Sequence, residues 1–115
     1  MNYSKTAGSV DIKIEKIKQQ LLALGDMRPG SLSKQYNVCG KKDCRCKHPT
    51  NPKRHGPYYQ LSYVHQGKST SRFIRPNLRQ QVAKELATYK KFRSLTQLWI
   101  KLALKKADSL LKSAP

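Results

Sequence analysis

The sequence predicts an α+β fold: an N-terminal helix, a zinc-stapled loop, a two-stranded β-hairpin, and a long basic C-terminal helix or helix pair. Three observations carry that reading. Apolar residues recur at helical spacing near both ends of the chain, they alternate over a short central stretch, and the three cysteines crowd into a segment too rich in Gly and Pro for long regular structure.

The first helix is expected over residues 10–25. Val10, Ile14, Ile17, Leu21 and Leu24 follow a 4, 3, 4, 3 spacing that lines one face. Asp11 and Glu15 suit the positive end of the helix dipole, and Gly25 supplies a stop. Residues 1–9 are small and polar, and are expected to form a flexible N-terminus. The remainder, 10–112, reads as a single zinc-stapled domain.

Residues 28–57 hold Pro29, Gly30, Gly40, Pro49, Pro52, Gly56 and Pro57, so this stretch is expected to be a loop held by something other than backbone pairing. Within it stand Cys39, Cys44 and Cys46, with His48 two residues beyond Cys46 and His55 nine beyond. Three thiols cannot all pair within one chain, and thiolates with imidazole are the donors that zinc prefers, commonly as a four-ligand Cys3His site. Cys39, Cys44, Cys46 and His55 are the expected ligands of a structural Zn2+. His55 leads straight into the next element and can tie the loop to it, whereas His48 lies close enough to Cys46 to strain a tetrahedron. The Cys44-x-Cys46 gap is tighter than the usual pair spacing, which leaves three metal-free thiols as the bland alternative.

Residues 58–75 read as the hairpin. Tyr59, Leu61 and Tyr63 alternate with polar residues, a turn is expected around Gln66, Gly67 and Lys68, and a second run from Thr70 to Ile74 returns. Helical spacing resumes over 77–112, with Leu78, Val82, Leu86, Tyr89, Phe92, Leu95, Leu98, Trp99 and Leu102. No Gly or Pro intervenes before Pro115, although a break near Ser94 and Thr96 would give two helices. Its apolar patch around Leu98–Leu104 asks for a partner, either the first helix or a second subunit.

Charge points to function. The chain carries 24 Lys and Arg against 6 Asp and Glu, a net charge of +18 in 115 residues. The imbalance peaks in residues 28–76, which hold 11 basic side chains, 1 acidic one and all three cysteines. A loop pinned by metal and studded with cations would present a fixed electropositive surface to phosphates. Arg28, Lys34, Lys41, Lys42, Arg45, Lys47, Lys53, Arg54, Lys68, Arg72 and Arg75 are the expected contacts, and Tyr58 among the interleaved tyrosines could stack on a base or bond a phosphate. Tyr59 and Tyr63 are better read as core.

An enzyme is not expected. The six acids are scattered along the chain, whereas phosphodiester hydrolysis usually wants clustered carboxylates around metal ions. A tyrosine nucleophile at Tyr58 or Tyr59 would find only Arg54 and His55 nearby, and a cysteine nucleophile would lack an oriented base. The N-terminus has no apolar signal core and no stretch approaches a membrane span, so a cytoplasmic protein without membrane contact is expected. Its partners would be nucleic acid, a protein within a nucleoprotein complex, and a second copy docked through the helices; an adaptor for an acidic protein is the rival reading.

The run from Arg28 to Tyr63 resembles a family of short, basic bacterial proteins of uncharacterised function. The resemblance rests on Arg28-Pro29-Gly30-Ser31-Leu32, on Cys39-Gly40 with Cys44 and Cys46, and on His55-Gly56-Pro57-Tyr58-Tyr59, and it covers roughly residues 14–100. It implies His55 as the fourth ligand. Members of that family often lie among mobile-element genes, which implies DNA in preference to RNA and an accessory role beside a transposase or recombinase.

Overall fold

The computed structural model describes residues 3–37 and 43–113, residues 3–7 as backbone only. Helix α1 runs Tyr3–Leu22, strand β1 Ser31–Asn37, a 3₁₀ turn Arg45–Lys47, strand β2 His55–His65, strand β3 Lys68–Ile74, and helix α2 Arg79–Ser113 after a second 3₁₀ turn at Pro76–Leu78. The class is α+β, as the periodicities predict. Two compact units result, Arg28–Leu86 and Met1–Met27 together with Ala87–Pro115.

In the Arg28–Leu86 unit the hairpin gains a third strand. The sheet is antiparallel in the order β1-β2-β3. The density of Gly and Pro over 28–57 puts residues 31–37 inside the metal loop, and the structure corrects this: Ser31 pairs with Ser62, Leu32 with Leu61 and Gln35 with Tyr58. Ser31–Asn37 itself contains no Gly or Pro, so its N–H and C=O groups are free to complete the edge that the hairpin would leave unpaired. The β2-β3 turn is made by Gln66 and Gly67, both at positive φ, 50° and 76°, which suits a tight two-residue hairpin.

The two sheet faces differ in chemistry. On one, Leu61 is fully buried beneath Val82 and Leu86 from the first turns of α2, with Leu32, Tyr63 and Ile74 packed around them. Arg79 adds its guanidinium over the Tyr59 ring at 5.4 Å. Arg28 fixes the entry to the sheet: its backbone N–H donates to the Glu85 carbonyl at 3.1 Å and its Nε to the Glu85 carboxylate at 3.0 Å. On the other face the ladder places Ser31, Ser33 and Gln35 of β1 beside Tyr58, Gln60, Ser62 and Val64 of β2, and these beside Ser69, Ser71 and Phe73 of β3. That face carries no charged residue.

In the other unit α1 packs on the later turns of α2. Val10, Ile14 and Ile17 are buried, matching the 4, 3 spacing, and Leu95 of α2 is buried in the same unit. Lys106 pairs with Asp11, and Lys18 lies over the Trp99 ring at 5.4 Å. The two contacts advance along α1 as they retreat along α2, so the helices run antiparallel. The helix extends to Tyr3 through a stretch that composition predicts to fray; that stretch holds no Pro, and nothing crowds Gly8. Helix α2 is continuous. At the expected break the Thr96 hydroxyl donates to the Phe92 and Arg93 carbonyls at 3.0 Å, so its polar group is satisfied within the helix.

Candidate metal centre and nucleic-acid interface

Cys44, Cys46 and His55 come together although 11 residues separate the first from the last. The 3₁₀ turn brings Cys46 inward, where it is 2% exposed, and the Lys47 N–H closes the turn on the Cys44 carbonyl at 3.0 Å. His55 opens β2, so the sheet holds its ring while the turn holds the thiols. Its Nε2 lies 3.0 Å from the Cys44 Sγ, and the three donor atoms all fall within 4.8 Å of one another.

This group can hold a metal ion. A tetrahedral zinc with bonds of about 2.3 Å to sulfur and 2.0–2.1 Å to nitrogen would set its donors about 3.5–3.8 Å apart, so shifts of about an ångström or less would suffice here. Cys39, the other expected ligand, lies outside the described residues, as do Lys41 and Lys42. His48 does not join the group. Its Nδ1 accepts from the Asn51 N–H at 3.0 Å and the Thr50 N–H at 3.3 Å, which folds the chain back between Pro49 and Pro52. The Lys53 N–H then donates to the Arg45 carbonyl at 2.9 Å, which ties the two ends of the loop together.

The structure sorts the described members of the predicted basic set into four groups. Arg45, Lys47, Lys53 and Arg54 are all exposed and ride on the short metal loop. Lys34, Lys68 and Arg72 take the strand positions that share a face with Leu61, yet each is exposed, Lys34 lying over the Tyr36 ring at 5.7 Å. Arg28 is engaged with Glu85 and holds the fold. Arg75 follows β3 and is exposed.

Tyr58 is 41% exposed on the uncharged face, beside a residue that sequence reasoning misses. Phe73 is 63% exposed on β3, and its ring meets that of Tyr58 at 6.3 Å and 67°. Its parity with Ser69 and Ser71 in the returning strand is the one signal that could have found it. Asn37, His55, Tyr58 and Phe73 line an open hollow of about 640 Å³, so the metal group and the aromatic pair share a border.

Residues 10–84 match the family model of a domain of unknown function, DUF6788. The chain belongs to the DUF6788 family. No curated protein and no solved structure matches it. The DUF6788 match takes in the Cys44–Cys46–His55 group, all three strands and the first turns of α2, and stops short of the rest of that helix. Among the described residues no helix is long and apolar enough to cross a membrane.

Proposed function

We propose that the chain is a non-catalytic, zinc-stapled nucleic-acid-binding protein, acting as a DNA-binding accessory within a nucleoprotein assembly. The observation that carries this reading is the convergence of Cys44, Cys46 and His55 beneath a loop whose exposed side chains include Arg45, Lys47, Lys53 and Arg54. Two thiolates and an imidazole favour zinc over the hard cations that take oxygen donors. Cys39 completes the set as the fourth donor. Closing the site leaves the ion a structural role, which is to fix the spacing of cations that would otherwise sample many positions. Less ordering entropy is then lost when phosphates bind. A non-catalytic role accords with the acids, of which Asp11 and Glu85 are held in ion pairs with Lys106 and Arg28 in different units.

A second reading, a homodimer docked through helices, has one observation in its favour. Ile100, Leu104 and Leu111, at spacings of 4 and 7 along α2, are 59%, 60% and 72% exposed. The solution mass of the purified protein decides it.

The test of the main reading pairs metal analysis of the full chain with a binding titration against duplex DNA at several salt concentrations. About one zinc per chain is expected, with Cys44→Ser losing metal and folded structure together. Replacing Arg45 and Lys47 by Ala should weaken binding while leaving metal content and thermal transition unchanged. A metal-free chain whose transition ignores chelator would overturn the staple, and failure to bind any nucleic acid would overturn the function.

A further inference from the structure

We propose that the uncharged outer face of the sheet is a stacking platform for unpaired bases of a single-stranded polynucleotide, with Tyr58 and Phe73 as its rings. The proposal rests on the nucleic-acid reading above and deepens it by naming the form of ligand. In a chain with 24 basic residues, charge is the ready means of keeping a sheet face in water. Here the strands place Lys34, Lys68 and Arg72 on the opposite face, and leave Tyr58 and Phe73 among serines and glutamines. Phe73 and Tyr58 adjoin, so their exposures of 63% and 41% make one aromatic patch rather than a lone surface ring, and such a patch marks a binding surface.

The chemistry of the face fits a base. Two rings on adjacent strands, 6.3 Å apart and inclined at 67°, offer two separate π-surfaces, one to each of two bases that an unpaired strand can splay apart. Gln60, Ser62 and Ser71 stand beside them; the two serine hydroxyls bond each other at 3.2 Å and the Gln60 oxygen accepts from Gln35 at 2.6 Å, which leaves the Gln60 amide N–H groups to donate to base edges. Arg54 immediately precedes His55 at one border of the platform, and Arg75 follows Phe73 by two residues at another. Phosphates could therefore sit at the rim while bases lie on the rings. A duplex cannot use such a surface, because its base faces are already stacked on one another. An acidic protein would meet cations only at the rim, at Arg54 and Arg75, and would leave the two rings without flat partners.

The test uses the full-length, metal-loaded protein and a labelled mixed-sequence DNA oligonucleotide, single-stranded and as its duplex, read by fluorescence anisotropy. Phe73→Ala and Tyr58→Ala should each weaken the single strand by roughly tenfold or more, the loss measured for a base deprived of an aromatic stack. The duplex should change less than about twofold, and Phe73→Tyr should restore single-strand affinity. Since no charge is removed, the dependence of affinity on salt should keep its slope in the alanine variants. Phe73 is mostly exposed, so its variant should keep its metal and its melting transition even where Tyr58→Ala does not. Unchanged single-strand affinity in a folded Phe73→Ala protein would overturn the platform, and so would a wild-type dimer that Phe73→Ala splits into monomers. If the Arg45→Ala, Lys47→Ala protein still loses binding in that case, the nucleic-acid function stands without the platform. No binding by the wild type to either form would remove both.

Discussion

Gly56 stands next to His55 at a φ of 135°, and a Cβ built there would lie 2.7 Å from the Gln35 carbonyl oxygen and 3.1 Å from the Tyr58 nitrogen. Both are backbone atoms of paired strands, which cannot swing aside as a side-chain tip could. Gly30 is under the same constraint, with φ 123° and the Ser62 carbonyl oxygen 2.5 Å from the missing Cβ. Gly56→Ala is therefore expected to destabilise the Arg28–Leu86 unit by about 1–3 kcal/mol, the usual scale of a residue forced into such a conformation. Because the displaced segment carries His55, the same variant should lose metal to a chelator faster than wild type. Gly30→Ala should show a similar shift in its denaturation midpoint with little change in metal release. If both glycines tolerate alanine, β1 does not sit where the register places it. At this scale the sequence reveals side-chain type and hides geometry. Cys44, Cys46 and His55 can be singled out because few residues offer sulfur or imidazole, whereas the engagement of Arg28 with Glu85, 57 residues away, depends on a register that no local pattern encodes.

The elements are legible in proportion to how much apolar surface each one hides. Helix α1 and the start of α2 display their buried stripes, Val10-Ile14-Ile17 and Val82-Leu86, as plain 4 and 3 spacings, and β2 shows its inward face as Tyr59, Leu61, Tyr63. Strand β1 has only Leu32 facing the core and is otherwise exposed or half-buried, so hydrophobic alternation has almost nothing to mark. It is held by backbone pairing to β2, a force that composition does not register. The helix start at Tyr3 and the unbroken passage through Thr96 are ambiguous for a related reason, since both depend on backbone groups finding partners along the helix. The asymmetry of β2 yields a paired prediction. Leu61→Ala, at a position with 0% exposure beneath Val82 and Leu86, should cost about 2–5 kcal/mol, whereas Val64→Ala three residues on, at 63% exposure, should cost less than about 0.5. Urea unfolding of the two variants measures both. Equal costs would mean that the helix does not cover the face assigned to it.

Across the whole molecule a net charge of +18 makes attraction to any polyanion inevitable, so bare affinity cannot distinguish a built surface from a merely sticky chain. Salt dependence can. Each cation that neutralises a duplex phosphate releases counterions and steepens the fall of log affinity with log salt by roughly one unit. If Arg45 and Lys47 both meet phosphates, replacing them by Ala should make the slope shallower by about two, and replacing Lys105 and Lys112, exposed on the far turns of α2, should leave it nearly unchanged. Chelation supplies the complementary measurement. Removing the ion takes away none of the chain's Lys or Arg charge, so a disordered polycation would keep its slope and its affinity. A loop whose cations are spaced by Cys44, Cys46 and His55 should instead lose affinity and the contrast between the two pairs of substitutions, because its charges would no longer reach the duplex in register. Identical titrations with and without metal would leave charge alone as the cause of binding and sever the link between the metal group and the surface above it.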